Sequence, residues 1–193
     1  MNAGLPKTGQ TKMEYQIIKE FLPKDLCQRM TDHMWKKYED KSFYFDFQCA
    51  ISPAFMKAFT HPAKVYKEKL EKKLDKKLYY TYDHGRIYKR GEILTPHKDK
   101  NQCEVALSIT LGYSGDNTWP IYLYSHEQHK IIEVNLDIGD ALVYNGYELL
   151  HWRNQLTEDW QCQVFWFYAT DDRFQDKLFP GIEDMITNHE FMV

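Results

Sequence analysis

No C-x-x-C pair occurs in this chain, and its four cysteines, Cys27, Cys49, Cys103 and Cys162, lie far apart. That spacing argues against a zinc framework or a disulfide scaffold. The expectation is free thiols in a reducing compartment. No apolar run approaches the roughly 20 residues of a membrane-spanning helix. The opening MNAGLPKTGQTK has no apolar stretch of the secretory kind. Neither charge dominates: 25 Lys and Arg against 28 Asp and Glu leave a net charge of -3. Such a balance gives no general attraction to nucleic acid or to an anionic membrane. There is no internal repeat and no low-complexity tract. A soluble, cytoplasmic protein is expected.

What is present is aromatic: 14 Tyr, 11 Phe and 5 Trp in 193 residues. The length suits one domain with a sizeable core, and the aromatics suit strands. After a polar arm, Tyr15 to Phe21 reads as a strand. Leu26, Met30 and Met34 recur at helical spacing over Lys24 to Tyr38. Ser42 to Ile51 reads as a strand, and Ser52-Pro53 as the start of a short helix through Phe59. Pro62 opens a longer helix, Ala63 to Leu78, with Tyr66, Leu70, Leu74 and Leu78 as its apolar stripe. Its other faces are rich in lysine. Pairs such as Glu68 with Lys72 point to a solvated helix face, and nucleic acid is not the expected partner.

From Tyr79 the pattern turns to period two. Tyr80, Tyr82, Arg86, Tyr88 and Arg90 share a parity. Cys103 to Tyr113 alternates apolar residues with Glu104, Ala106, Ser108, Thr110 and Gly112. Trp119 to Tyr124, Ile132 to Ile138, Ala141 to Tyr144, Leu149 to Asn154 and Gln161 to Ala169 follow as strands. Ser125 to Lys130 reads as a polar hairpin tip, so His126 and His129 are expected to be solvated. Asn145-Gly146 suits a tight turn, where Gly tolerates positive φ. The expected architecture is α+β and β-rich: a two-sheet jelly roll, or double-stranded β-helix, with N-terminal helices packed outside. The single domain divides into an arm and helical cover (1–78), a jelly-roll core (79–169) and a C-terminal tail (170–193).

One stretch, Tyr88 to Asn101 (YKRGEILTPHKDKN), stands out. Pro96 keeps the approach extended, so His97 and Asp99 at i and i+2 project the same way. A third candidate ligand, His151, comes much later in YELLHWRN. Two histidines and one carboxylate are the set that holds non-haem Fe(II) on one face and leaves positions open. Closure of a barrel can bring an early rim and a late strand together.

The order of strand, H-x-D, alternating strand, hairpin, IGDALVY (Ile138 to Tyr144) and late histidine resembles the Fe(II)/2-oxoglutarate-dependent dioxygenases. It is most similar to the prolyl-4-hydroxylase-like branch over roughly residues 79 to 169. The resemblance implies His97, Asp99 and His151 as iron ligands, 2-oxoglutarate as co-substrate, and Tyr88 in contact with it. The implied reaction hydroxylates an unactivated C–H bond of a protein side chain or small molecule, giving succinate and CO2. Demethylation follows if the hydroxylated carbon bears nitrogen.

The chain departs from the family in one place. The Lys or Arg usual about ten residues after the distal histidine is absent; Trp160, Gln161, Cys162 and Gln163 stand there. Arg153 shares the parity of His151, and its planar guanidinium can bind a carboxylate through two hydrogen bonds. Arg153, with Gln161 or Gln163, is therefore expected to take that role, the alternative being a structural ion pair. Trp119, Tyr144 and Trp152 are candidates for the mouth of the site. Two other readings fit the same fold: a non-catalytic cupin-like binding module, and a Zn-dependent hydrolase or isomerase on the same three ligands. Oligomeric state is not legible.

Overall fold

The three longest strands pair side by side at the centre of one large sheet. The computed structural model describes residues 14–45, 50 and 52–174. In chain order the elements are β1 (Tyr15–Ile18), α1 (Lys24–Glu39), β2 (Tyr44–Phe45), β3 (Pro53–Met56), α2 (Thr60–Leu74), β4 (Tyr79–Lys89), β5 (Leu94–His97), β6 (Val105–Tyr113), β7 (Ile121–Ser125), β8 (Lys130–Val134), β9 (Ala141–Tyr144), β10 (His151–Arg153) and β11 (Trp160–Ala169), then a 3-10 turn at Asp172–Phe174. A seven-stranded sheet runs β1-β9-β6-β11-β4-β3-β2, and a four-stranded sheet runs β5-β10-β7-β8. Neighbours pair antiparallel throughout. This is the expected jelly roll, with both helices on the outer face of the larger sheet.

Two cores follow from this layering. Outside the large sheet, Met30, Met34 and Leu70 of the helices pack on Ile87, Val164, Trp166 and Tyr168 of the strands. Between the sheets, Tyr88, Trp119, Leu123, Leu142, Phe165 and Phe167 form the second cluster. The large sheet is thus buried on both faces. Every residue of β6 from Val105 to Gly112 is buried, so Ser108 and Thr110, polar members of the alternation, point into the lumen and not to solvent.

Several local expectations shift. Pro53 opens a strand, not a helix: Ala54 and Phe55 pair with Arg86 and Gly85 of β4 and are buried there, and Pro is tolerated at a strand's first residue. α2 starts earlier than Pro62 because Asp83, from β4, caps it. Asp83 accepts from the Phe59 backbone N–H at 2.8 Å, the Thr60 hydroxyl at 2.7 Å and the Tyr80 hydroxyl at 2.6 Å. It ends at Asp75, whose φ of 50° is left-handed, before Leu78. The lysine-rich face of α2 is largely engaged: Lys69 donates to the Phe21 carbonyl at 2.7 Å, and Lys67 pairs with Glu71. Both β1 and β8 end sooner than their alternation suggested. Within the expected 42–51 strand, Tyr44–Phe45 forms β2, while residues 46–49 and 51 lie outside the described residues, as does the tail beyond Phe174. The thiols of Cys27, Cys103 and Cys162 are free and buried; Cys49 is outside the described residues. Among those described, no helix is long and apolar enough to cross a membrane.

Candidate active site

The antiparallel pairing of β5 with β10 sets His151 directly opposite His97. Fifty-four residues of sequence separation close to a ring–ring distance of 4.2 Å. Each imidazole Nδ1 bonds a carbonyl two residues back on its own chain: His97 to Thr95 at 2.8 Å, His151 to Leu149 at 2.9 Å. A carbonyl only accepts, so both Nδ1 atoms carry the proton and both Nε2 lone pairs are left for a ligand. Asp99 follows β5 and is tied down by its backbone N–H, which donates to the Gly146 carbonyl at 2.8 Å. Its Oδ1 lies 3.8 Å from Nε2 of each histidine.

These three donor atoms fall within 4.8 Å of one another, and among the described residues no other His, Cys, Asp or Glu group gathers in this way. Side-chain exposure runs from 2% at His151 through 13% at Asp99 to 22% at His97, so the cluster spans from the lumen to the rim. Asp99 Oδ2 is buried without a hydrogen-bond partner. Burial raises the Asp99 carboxyl to about 6, against the lowering effect of His97. Burial depresses His151 to about 4 and also lowers His97, with His151 adding to the latter. A buried carboxylate between two neutral imidazoles is costly unless a cation joins them. The donor set therefore fits a divalent metal.

Gly146 is placed by this carboxylate. It does not have the positive φ expected of the Asn-Gly turn; only Gly91, Gly115 and Gly139 do among the described glycines. A Cβ at Gly146 would stand 2.1 Å from Asp99 Oδ2. The glycine is needed for close approach.

Deeper in the lumen lies a second polar group. Arg153 is 2% exposed and faces the same way as His151, as their spacing on β10 requires. One of its terminal nitrogens donates to the Trp119 carbonyl and the other to Ser108 Oγ at 3.4 Å. Its Nε has no partner. The guanidinium stands 5.0 Å from the Trp119 ring centre. Burial lowers its pKa to about 10, the nearby Tyr88 and Tyr144 hydroxyls acting in the opposite sense. No carboxylate pairs with it among the described residues, so the structural ion pair is not what holds it.

Gln161 accepts from the Trp119 N–H at 3.2 Å, and its Nε2 is buried without a partner. Gln163 donates to Thr110 at 3.0 Å and accepts from Ser108 at 3.3 Å. Tyr88 pairs with Gln161 across the strands, is fully buried, and packs edge-on to Trp119 at 4.9 Å. Hence Tyr88, Arg153, Gln161 and Gln163 share one recess. Ser108 and Thr110 complete it, although their sequence looks like an ordinary polar strand face.

The aromatic candidates divide. Trp119 lines this recess, and Tyr144 meets His151 edge-on at 4.8 Å. Trp152 points the other way, as the residue between two inward neighbours must; it stacks on Tyr122 on the outer face, with ring centres 5.7 Å apart. His126 and His129 are exposed, as expected. A cavity of about 450 Å³ is lined by His126 with Lys98, Tyr147 and Glu148, the last three close to the ligands in sequence.

No protein-family model matches the sequence, and no curated protein matches it. Solved structures do. A prolyl-4-hydroxylase from Pseudomonas putida superposes with a TM-score of 0.66 at 12% identity, covering 83% of this chain and 95% of that one. The viral collagen prolyl hydroxylase of Paramecium Bursaria Chlorella virus-1, in complex with 2-oxoglutarate, gives 0.60 at 14% identity, covering 82% and 97%. HygX from Streptomyces hygroscopicus, with nickel and 2-oxoglutarate bound, gives 0.61 at 10% identity, covering 86% and 84%. This chain has the fold of the 2-oxoglutarate-dependent oxygenases.

Proposed function

We propose that this protein is an Fe(II)- and 2-oxoglutarate-dependent oxygenase that hydroxylates an unactivated C–H bond of a protein side chain or small molecule. The observation that carries the reading is Arg153. A guanidinium buried this deeply, with no carboxylate partner among the described residues and with Nε unpaired, calls for an anionic ligand. It lies on the strand that bears His151, so one small dicarboxylate can reach both the metal and the arginine. That the similar structures hold 2-oxoglutarate, or nickel with 2-oxoglutarate, supports this choice of anion.

His97, Asp99 and His151 would hold the iron. Bound there with 2-oxoglutarate, iron supplies activation of dioxygen coupled to loss of CO2 and formation of succinate, with transfer of oxygen to the substrate. The chain's own residues position and exclude. The Nδ1 bonds to Thr95 and Leu149 fix the two imidazoles. Arg153 takes the far carboxylate through a charge-assisted hydrogen bond. Tyr88 and Gln161 border that carboxylate, and the Trp119 ring seals its side from water.

Anaerobic addition of Fe(II) and then 2-oxoglutarate should produce the weak visible charge-transfer band of a chelated complex, and His97→Ala should abolish it. Iron binding without the band, or zinc-supported hydrolysis without 2-oxoglutarate, would favour the binding-module or hydrolase readings.

A further inference from the structure

The lumen face of the β4–β11 pair changes character halfway along. At one end it carries Tyr88 opposite Gln161 and Arg86 opposite Gln163. Next come His84 opposite Phe165 and Tyr82 opposite Phe167. The polar half belongs to the Arg153 recess. The other half is a block of four near-parallel rings. Tyr82 and Phe167 lie 4.4 Å apart at 20°, His84 and Phe165 4.9 Å apart at 32°, and Tyr82 and His84 6.1 Å apart at 14°.

This block lies within electrostatic reach of the metal ligands. Asp99 acts electrostatically on the Tyr82 hydroxyl, and His97 on the His84 ring. Phe165 and Phe167 are buried, whereas Tyr82 and His84 keep accessible surface. Yet His84 is surrounded deeply enough that burial holds its imidazole well below its ordinary range. Tyr82 and His84 are the part of the block that a ligand can reach. His84 makes no hydrogen bond or ion pair among the described residues, and its ring keeps accessible surface, so its nitrogens are open to a ligand.

The geometry points to this block as the substrate subsite, taking an uncharged, ring-sized group that stacks on Tyr82 and His84, with Phe165 packed behind them, and hydrogen-bonds the His84 imidazole. The inference rests on the oxygenase reading for its substrate, but not for its physics. Aromatic faces bind flat or saturated rings well. A cation would also be drawn to such faces, but here it would sit beside Arg86 and the metal. An anion would lose its hydration against the rings, and Arg86 already donates to Ser52 at 3.3 Å.

The test uses zinc- and 2-oxoglutarate-loaded protein with histidine labelled for NMR, titrated with benzamide, benzoate and phenyltrimethylammonium. Benzamide should shift the His84 ring signals and bind most tightly of the three. His84→Ala should weaken it about tenfold, the size of one hydrogen bond in a desolvated site. His84→Asn should recover part of that loss. Phe165→Leu, which keeps the apolar volume, should weaken benzamide by removing the ring and serves if His84→Ala does not fold. Equal binding of either charged probe, unchanged binding to His84→Ala and Phe165→Leu, or an unmoved His84 signal would overturn the proposal. Calorimetric binding of 2-oxoglutarate to the same zinc-loaded protein separates the two readings. Its loss with benzamide binding intact removes the oxygenase reading alone; the reverse removes the subsite alone.

Discussion

The two faces of the β4–β11 pair are made from the same two strands, yet they bury opposite kinds of chemistry. The outward face presents Ile87, Cys162, Val164, Trp166 and Tyr168 to the helices. The inward face presents Tyr88, Arg86, Gln161 and Gln163 to a lumen that also holds Arg153. Burial is nearly complete on both sides, so burial does not separate structure from function here. Satisfaction of charged groups does. The outward face packs apolar side chains and satisfies its buried carboxyl, Asp83, with three hydrogen bonds; the polar atom it leaves unpartnered, the Trp166 indole N–H, is neutral. That lumen holds a desolvated cation, Arg153, whose Nε has no partner, beside the unpartnered Gln161 amide nitrogen, an arrangement that costs stability unless a ligand completes it.

Truncating the outward face should show the largest stability effect. Trp166 is fully buried and packs against Phe21 and Tyr66, so Trp166→Ala should cost about 3–5 kcal/mol in denaturant unfolding. Arg153→Met tests the inward face. Replacing a buried, unpaired cation with an apolar chain of similar length should change metal-free stability by no more than about 2 kcal/mol. It should raise the 2-oxoglutarate requirement about a hundredfold, the upper worth of a hydrogen bond to a charged group. An unchanged requirement would remove Arg153 from the site.

Gly146→Ala should act on the metal and not on the fold. A Cβ pressed against Asp99 Oδ2 displaces a ligand, and metal affinity by calorimetry should fall about tenfold or more. The mildest expected effect is on pH. Metal binding needs an ionised carboxylate, and the Asp99 carboxyl is raised to about 6. A proton there competes with metal, so affinity should be level above that pH and fall by about tenfold per unit below it. His151, held near 4, joins only at lower pH. Affinity that declines from pH 8 downward would mean a histidine titrates first.

Much of this was visible in the chain. Period two marked β4 and β6, and helical spacing marked α1, because local side-chain direction follows directly from backbone geometry. His97, Asp99 and His151 were picked out by residue type and order, and Arg153 by sharing parity with His151. What failed were features whose cause lies elsewhere in the molecule. The start of α2 depends on Asp83, more than twenty residues later. The strand at Pro53–Met56 depends on having β4 beside it. Trp152 was offered as lining the mouth although its neighbours' inward direction already excluded it.

The sequence by itself determined the period of each element, the residue types available for chemistry and which of them share a face. These are local properties of covalent geometry and composition. Only the tertiary structure decided which faces meet: that β5 lies against β10 with His97 opposite His151, that Gly146 makes room for Asp99, and that no acid among the described residues pairs with Arg153. Register and long-range pairing come from the closure of two sheets around a common lumen, and no window of sequence contains both partners of such a contact.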